Sequence, residues 1–179
     1  LDEAHHLEDV AASHLGAQVT SRGIRRLLGR FERNGKGLLP TLASDLSATA
    51  DLLSRASLDL LRERLLPAVL DARRAADQLL LRLHSRLEAV QGGVLRLTDD
   101  FQKDPIWQDG LQRELDQTLL AFRAIKDSIE TIADRMAGSE LSERRTQLLA
   151  ELRAVVRRME STSDGLNQSL RPVAGGPPV

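Results

Sequence analysis

The sequence predicts a mainly α fold, an elongated antiparallel helical bundle, and three observations support that prediction. Leu and Ala dominate the apolar residues while aromatic residues make up only 2% of the chain, a composition that favours helices. Apolar residues recur at steps of three and four along two long segments, 58–90 and 107–136. These apolar stripes are wide enough for a bundle rather than a two-stranded coiled coil. The length of 179 residues suits one domain.

The first part of the chain predicts the end of a strand followed by two helices. Residues 1–4 are typical of the end of a buried strand, and a first helix is expected from about His5 to Leu15. A second helix begins near Thr20 or Ser21, because either side chain can accept a backbone N–H of the first turn, and ends around Asn34-Gly35. Its apolar face consists of Ile24, Leu27, Leu28 and Phe31.

Two further helices are expected before residue 91. Pro40 suits the first turn of a third helix, which would include Leu42, Leu46, Leu52 and Leu53. The longest apolar stripe then runs from Leu58 to Val90. Pro67 lies inside this stripe and removes one backbone donor, so we expect a kink or a break there.

The last part of the chain predicts a weak strand over 94–98 and two long helices. Asp104-Pro105 is typical of a helix start. Gly138-Ser139 combines a helix stop with a new cap, which predicts a tight antiparallel turn. The final helix continues towards Leu170, and residues 171–179 form a connector that leaves the bundle.

Composition limits the function classes that remain. The net charge of −1 gives no global basic field, so any nucleic-acid contact must be local. The chain has no Cys, which excludes disulfides and thiolate metal sites within it. It also has no uninterrupted apolar stretch of about 18 residues, so no membrane span is expected. A cytoplasmic location follows as an expectation.

The opening residues form an acidic motif, Leu-Asp-Glu-Ala-His at 1–5. Paired acids at a strand end can hold Mg²⁺ and orient the water that attacks a nucleoside triphosphate. The string continues as His-Leu-Glu-Asp over 6–9, and as a whole it resembles the DinG/XPD branch of superfamily 2 DNA helicases. In that branch Asn is usual where His6 stands. The motif covers about the first eleven residues, and the helical remainder is similar by architecture.

This resemblance implies a domain organisation. In that branch a helical insertion, the Arch domain, follows the motif before the chain returns to the motor. Residues 1–9 would then end helicase motor domain 1, residues 10–170 would form the Arch-like insertion, and residues 171–179 would lead back to the motor. Because the chain begins in mid-motif without Met, we expect it to be an internal segment of a longer ATP-dependent DNA helicase. The segment alone is expected to be inactive, since it lacks a Gly-rich Lys-Ser/Thr phosphate loop.

The resemblance also implies roles, cofactors and partners. Asp2 would bind Mg²⁺, Glu3 would polarise the attacking water, and His5 would couple the nucleotide site to the second motor domain and the DNA. The cofactors would be ATP and Mg²⁺, and a 4Fe-4S cluster could occur in the parent protein outside this segment. The motor would be monomeric and would move 5′-to-3′ on single-stranded DNA in repair or replication. The structural alternative is that Asp2 and Glu3 are acids at a helix start, favoured by the helix dipole.

The second helix is the candidate DNA contact. Four basic residues lie on one side of it at helical spacing, opposite the apolar face: Arg22, Arg26, Arg30 and Arg33. Arg25 lies beside them and Lys36 just beyond, and only Glu32 offsets them. They could neutralise the phosphates of a single strand, giving salt-dependent binding. The alternative is a solvated face whose charges pair with acids on a neighbour. The six residues are Arg22, Arg25, Arg26, Arg30, Arg33 and Lys36.

Other features favour structural roles. The pairs Arg73-Arg74, Arg144-Arg145 and Arg157-Arg158 are interleaved with acids and are expected to form salt-bridged surface. Trp107 begins an apolar stripe and is expected in the core rather than as a platform for bases. His5 and His6 project about 100° apart on a helix, so they do not suit one metal ion. A competing interpretation of the whole chain is a stand-alone helical scaffold or protein-interaction domain.

Overall fold

The computed structural model describes residues 11–14, 17–89, 99–137 and 142–171. The mainly α class and the helical bundle are confirmed. In order, the described elements are β1 (Ala11–His14), β2 (Ala17–Thr20), α1 (Ser21–Phe31), α2 (Leu38–Ser47), α3 (Leu52–Leu60), α4 (Leu66–Glu88), α5 (Gln112–Ala137) and α6 (Glu143–Leu170).

Four helical rods surround the core in the circular order α1, α4, α5, α6, with α3 extending α4 at one end. Neighbouring rods run antiparallel, as the ion pairs between α1 and α4 illustrate. Arg25 pairs with Asp77, whereas Glu32, further along α1, pairs with Arg73, earlier in α4. Helix α2 packs against α3 and α6. The apolar faces of all the rods meet in one core.

The predicted helix over His5–Leu15 is wrong for Ala11–His14, which forms β1. This strand pairs antiparallel with β2, and Ala12 lies opposite Val19. Only two residues separate the strands, and Val and Thr in β2 favour extended backbone. The side chain of Val19 packs on α6, where a Cβ added at Gly165 would lie 2.7 Å from Val19 Cγ2. Tertiary contact therefore selects the hairpin. Residues 1–10 lie outside the described ranges.

Helix α1 begins where the sequence predicts. The Thr20 hydroxyl accepts the N–H of Gly23 at 3.0 Å and caps the first turn. The predicted apolar face is buried. The helix ends at Phe31, before the predicted Asn34-Gly35, because Asn34 and Gly35 have φ angles of 52° and 76° and form a turn of their own.

The prediction of a single third helix from Pro40 through Leu53 is wrong. Helix α2 ends at Ser47, and α3 begins at Leu52 after Asp51, whose carboxylate accepts the N–H of Ser54 at 2.9 Å. This cap restarts the helix in a new direction. Leu52 is consequently 81% exposed rather than part of the core.

The irregularity predicted at Pro67 is present as a wide turn rather than a break. Residues 61–65 are π-helical and join α3 to α4, and the backbone at Leu65 and Leu66 keeps helical dihedral angles. Proline has no N–H to donate to the carbonyl four residues earlier, and a π turn absorbs that loss.

The helix start at Asp104-Pro105 is confirmed, since Asp104 Oδ1 accepts the N–H of Ile106 at 3.0 Å. The stripe that follows is buried from Trp107 to Met136 except for half-buried Leu119, and Trp107 is 5% exposed, as a core residue should be. One departure is Gly110, whose φ of 139° interrupts the helix before α5. A Cβ at Gly110 would lie 3.0 Å from Arg82 Nη2, so this close approach also favours glycine.

The start of α6 differs from the prediction. Ser142, not Ser139, is the cap, and its hydroxyl accepts the N–H of Arg145 at 3.2 Å. The predicted turn around Gly138 and the predicted strand over 94–98 lie outside the described residues. Arg145 is also not a surface residue, because it is 8% exposed and pairs with Asp45 of α2. By contrast, Arg73 and Arg74 form the expected ion pairs, with Glu32 and Asp71.

The described part of the chain enters and leaves the bundle at the same end. The β1–β2 hairpin packs on α6 near Gly165, and α6 finishes only five residues later at Leu170. At about 1.5 Å per residue, that is less than two helical turns away. No described helix is both long and apolar enough to cross a membrane.

Candidate nucleic-acid interface

The candidate ATP-site residues Asp2, Glu3 and His5 lie outside the described residues, so the structure does not place them. Within the described ranges, no three His, Asp or Glu side chains come together in a group that could hold a metal ion. The candidate site that the structure does describe is the basic face of α1.

The fold of α1 turns its basic residues outward. Helix α1 lies between α4 and α6, and its apolar side chains are buried against them. Opposite residues on the helix must then face solvent. All six predicted contact residues are exposed: Arg22, Arg25, Arg26, Arg30, Arg33 and Lys36.

Among the described residues, the acids beside Arg25 to Lys36 offset little of their charge. Arg25 Nε lies 3.2 Å from Asp77 Oδ1 in a largely exposed pair, and such pairs are weak. Glu32, the one acid that the sequence places among the cations, is directed to α4. Its carboxylate pairs with Arg73 at 3.0 Å, and Arg73 also donates to the carbonyl of Leu28 at 3.3 Å. Glu32 therefore fastens α1 to α4, and its negative charge is matched by Arg73.

A tight turn follows α1 and fixes two of the cations. The N–H of Arg33 donates to the carbonyl of Lys36 at 2.7 Å, and the N–H of Lys36 donates back at 3.0 Å. With Asn34 and Gly35 both at positive φ, this is the geometry of a type I′ turn. Arg33 and Lys36 thus form a directly opposed pair, whose side chains share one face.

Glu32 also holds this turn. Its carboxylate accepts the N–H of Gly35 at 2.9 Å. That hydrogen bond lowers the pKa of Glu32; partial burial opposes the shift, and the guanidinium of Arg73 reinforces it. Since the folded pKa is depressed, the stabilising effect is present at neutral pH and is lost as the pH falls through the folded pKa.

The first groove beside α1 lies between the turn and α6, and its volume is about 750 Å³. Three of the predicted cations line it, namely Arg30, Arg33 and Lys36, and Arg144 of α6 joins them from the other wall. Among the described residues of this groove, Glu151 is the one acid.

The second groove, of about 670 Å³, lies between α1 and α4. It shares Gly29, Arg30 and Arg33 with the first, so the two grooves form one continuous surface across α1. We call this the basic surface; it comprises Arg22, Arg25, Arg26, Arg30, Arg33, Lys36 and Arg144. Sequence reasoning missed Arg144, because nothing local relates it to residues more than a hundred positions earlier.

Comparisons of the chain with protein-family models, with curated proteins and with solved structures find no match.

Proposed function

We propose that this chain is the segment of a DinG/XPD-type DNA helicase that carries the acidic ATP motif and a helical arm. In this proposal the basic surface of the arm contacts single-stranded DNA. The observation that carries the DNA contact is the concentration of seven cations, from Arg22 to Lys36 and at Arg144, around grooves whose described acids are Asp77 and Glu151. Such a surface suits phosphates, whose neutralisation releases counterions.

The path of the chain supports the proposal that the helices form an arm. Because the β1–β2 hairpin and the end of α6 lie at one end of the bundle, the helices can be inserted into a host domain without separating its two parts. The hairpin follows the acidic motif directly in sequence. A conformational change in the host domain would therefore be transmitted to the bundle through β1 and α6.

The roles proposed for the motif follow the chemistry of ATP hydrolysis. Asp2 binds Mg²⁺, which neutralises the phosphates, and Glu3 accepts a hydrogen bond from the attacking water. His5 links this site to the second motor domain and to the DNA. The phosphate-binding loop and the arginine finger belong to other parts of the parent protein.

A second candidate function, a helical protein-interaction domain, has one observation in its favour. Leu52 and Leu120 are 81% and 65% exposed. Leu53, next to Leu52, is also 43% exposed, but Leu120 lies on a different rod, α5, and exposed leucines scattered over the surface are ordinary on soluble proteins. The basic surface is continuous, so we favour DNA.

A salt titration of single-strand binding by residues 1–179 tests the DNA contact. If four phosphates are neutralised, affinity falls by about 50-fold between about 50 and 200 mM salt. Replacing both Arg30 and Arg33 with Gln should reduce the fall to about sevenfold, because two phosphate contacts are lost. Fluorescence anisotropy with a labelled oligonucleotide measures both values.

The matched control removes the same charge elsewhere. Arg62 and Arg64 are exposed in the π-helical turn and line neither groove. The Arg62→Gln/Arg64→Gln variant should keep the wild-type salt dependence. Negligible binding at low salt, or equal losses in the two double variants, would count against the basic surface.

A further inference from the structure

The aromatic residues of the chain are not available for stacking on bases. The sequence contains three Phe, one Trp and no Tyr, and Phe31, Phe101, Phe122 and Trp107 are all in the core. Proteins that hold single strands through their bases use exposed aromatic side chains, each worth about 1–3 kcal/mol per stacked base. The basic surface therefore offers charge without a stacking platform.

The turn after α1 places two cations on one face. Arg33 and Lys36 are directly opposed across the type I′ turn, and like charges in that position destabilise each other. The turn is nevertheless stabilised by the two backbone hydrogen bonds between Arg33 and Lys36. The carboxylate of Glu32 stabilises it further by accepting the N–H of Gly35. An anion between the two side chains would relieve their repulsion.

The walls of the first groove supply the remaining contacts. Arg30 lies on α1 one turn before Arg33, and Arg144 is exposed at the start of α6, across the groove. An extended chain of phosphates entering the groove would meet cations on both walls. Glu151 lies further along α6 and marks where the positive lining ends.

We infer that the groove between the Arg33–Lys36 turn and α6 grips the phosphodiester backbone itself and ignores the bases. This inference rests on the proposed function and adds the ligand chemistry: the groove takes a flexible chain of phosphodiesters, with Arg30, Arg33, Lys36 and Arg144 as its contacts. Removing every base from the strand should leave these contacts intact.

Three labelled strands of equal length test this inference on residues 1–179 at low salt: oligothymidylate, oligoadenylate and an abasic deoxyribose-phosphate strand. Their Kd values should agree within about threefold, because a single stacked base would separate them by about fivefold or more. A Lys36→Gln/Arg144→Gln variant should weaken all three equally and lower the salt slope by about 1.4. The Arg62→Gln/Arg64→Gln variant should match the wild type.

The outcomes separate the two proposals. Binding to none of the strands would overturn both the DNA contact and the backbone grip. Strong binding to the two natural strands with a loss of about fivefold or more on the abasic strand would overturn the backbone grip alone. If all three strands bind equally and the Lys36→Gln/Arg144→Gln variant binds them as tightly as the wild type does, the phosphates bind outside this groove. That result also overturns the inference.

Discussion

Replacing Glu3 with Gln in the proposed parent helicase is expected to lower kcat for ATP hydrolysis by about 10²- to 10⁴-fold, the range typical of losing a general base. Glutamine keeps the shape of the side chain but accepts a proton poorly, so the water is no longer activated. The Kd of Mg-ATP should change little, because Asp2 still binds the metal. Steady-state hydrolysis together with nucleotide binding measures both quantities.

The control for this prediction is Glu63→Gln, which changes an exposed acid in the π-helical turn, far in sequence from the motif. It should hydrolyse ATP at the wild-type rate. An unchanged kcat in Glu3→Gln would contradict the role proposed for the motif, and the opening acids would then be better explained as a helix start.

The substitution Asp45→Asn should lower the free energy of unfolding by about 3 kcal/mol, because it leaves a buried cation without its counter-charge. Arg145 Nε lies 2.5 Å from Asp45 Oδ2, and its guanidinium also donates to the Thr49 hydroxyl at 2.8 Å. The pair joins α2 to the first turn of α6, which is also where Arg144 faces the first groove. Urea unfolding at neutral pH measures the loss.

Asp59→Asn provides the comparison, since Asp59 is exposed on α3. This substitution should change the free energy of unfolding by no more than about 0.5 kcal/mol. Adding Arg145→Met to Asp45→Asn should recover part of the stability, because a buried apolar side chain replaces the stranded charge. Equal stabilities for Asp45→Asn and Asp59→Asn would show that the buried pair contributes nothing.

Most of the helical architecture could be predicted because burial leaves a period of about 3.6 residues in the sequence. The stripe from Trp107 to Met136 is an example, and it lies in the core. The hairpin could not be found this way. The segment 11–14, Ala-Ala-Ser-His, is too short to show a periodic pattern, and what selects a strand there is packing of Val19 on Gly165, far away in sequence. The division between α2 and α3 depends on the cap at Asp51, which the spacing of the apolar residues does not reveal.

The candidate site could be predicted in part for the same reason. Helix α1 carries four of its cations, from Arg22 to Arg30, and the turn that follows carries Arg33 and Lys36, so their closeness in sequence reveals a shared surface. Arg144 reaches the groove only through the packing of α6. For Arg145 a local signal existed: it precedes Leu148 and Leu152 at steps of three and four, which places it on the buried face of α6. A buried arginine then requires an acid, and Asp45 supplies it.

We propose that the opening acids and the basic surface belong to one ATP-driven motor that acts on DNA. The most direct test is ATP turnover by the parent protein as single-stranded DNA is titrated in. Turnover should rise with DNA and saturate, and the Arg30→Gln/Arg33→Gln variant should need more DNA to reach the same rate. Turnover that is absent, or that is the same at every DNA concentration, would contradict the claim.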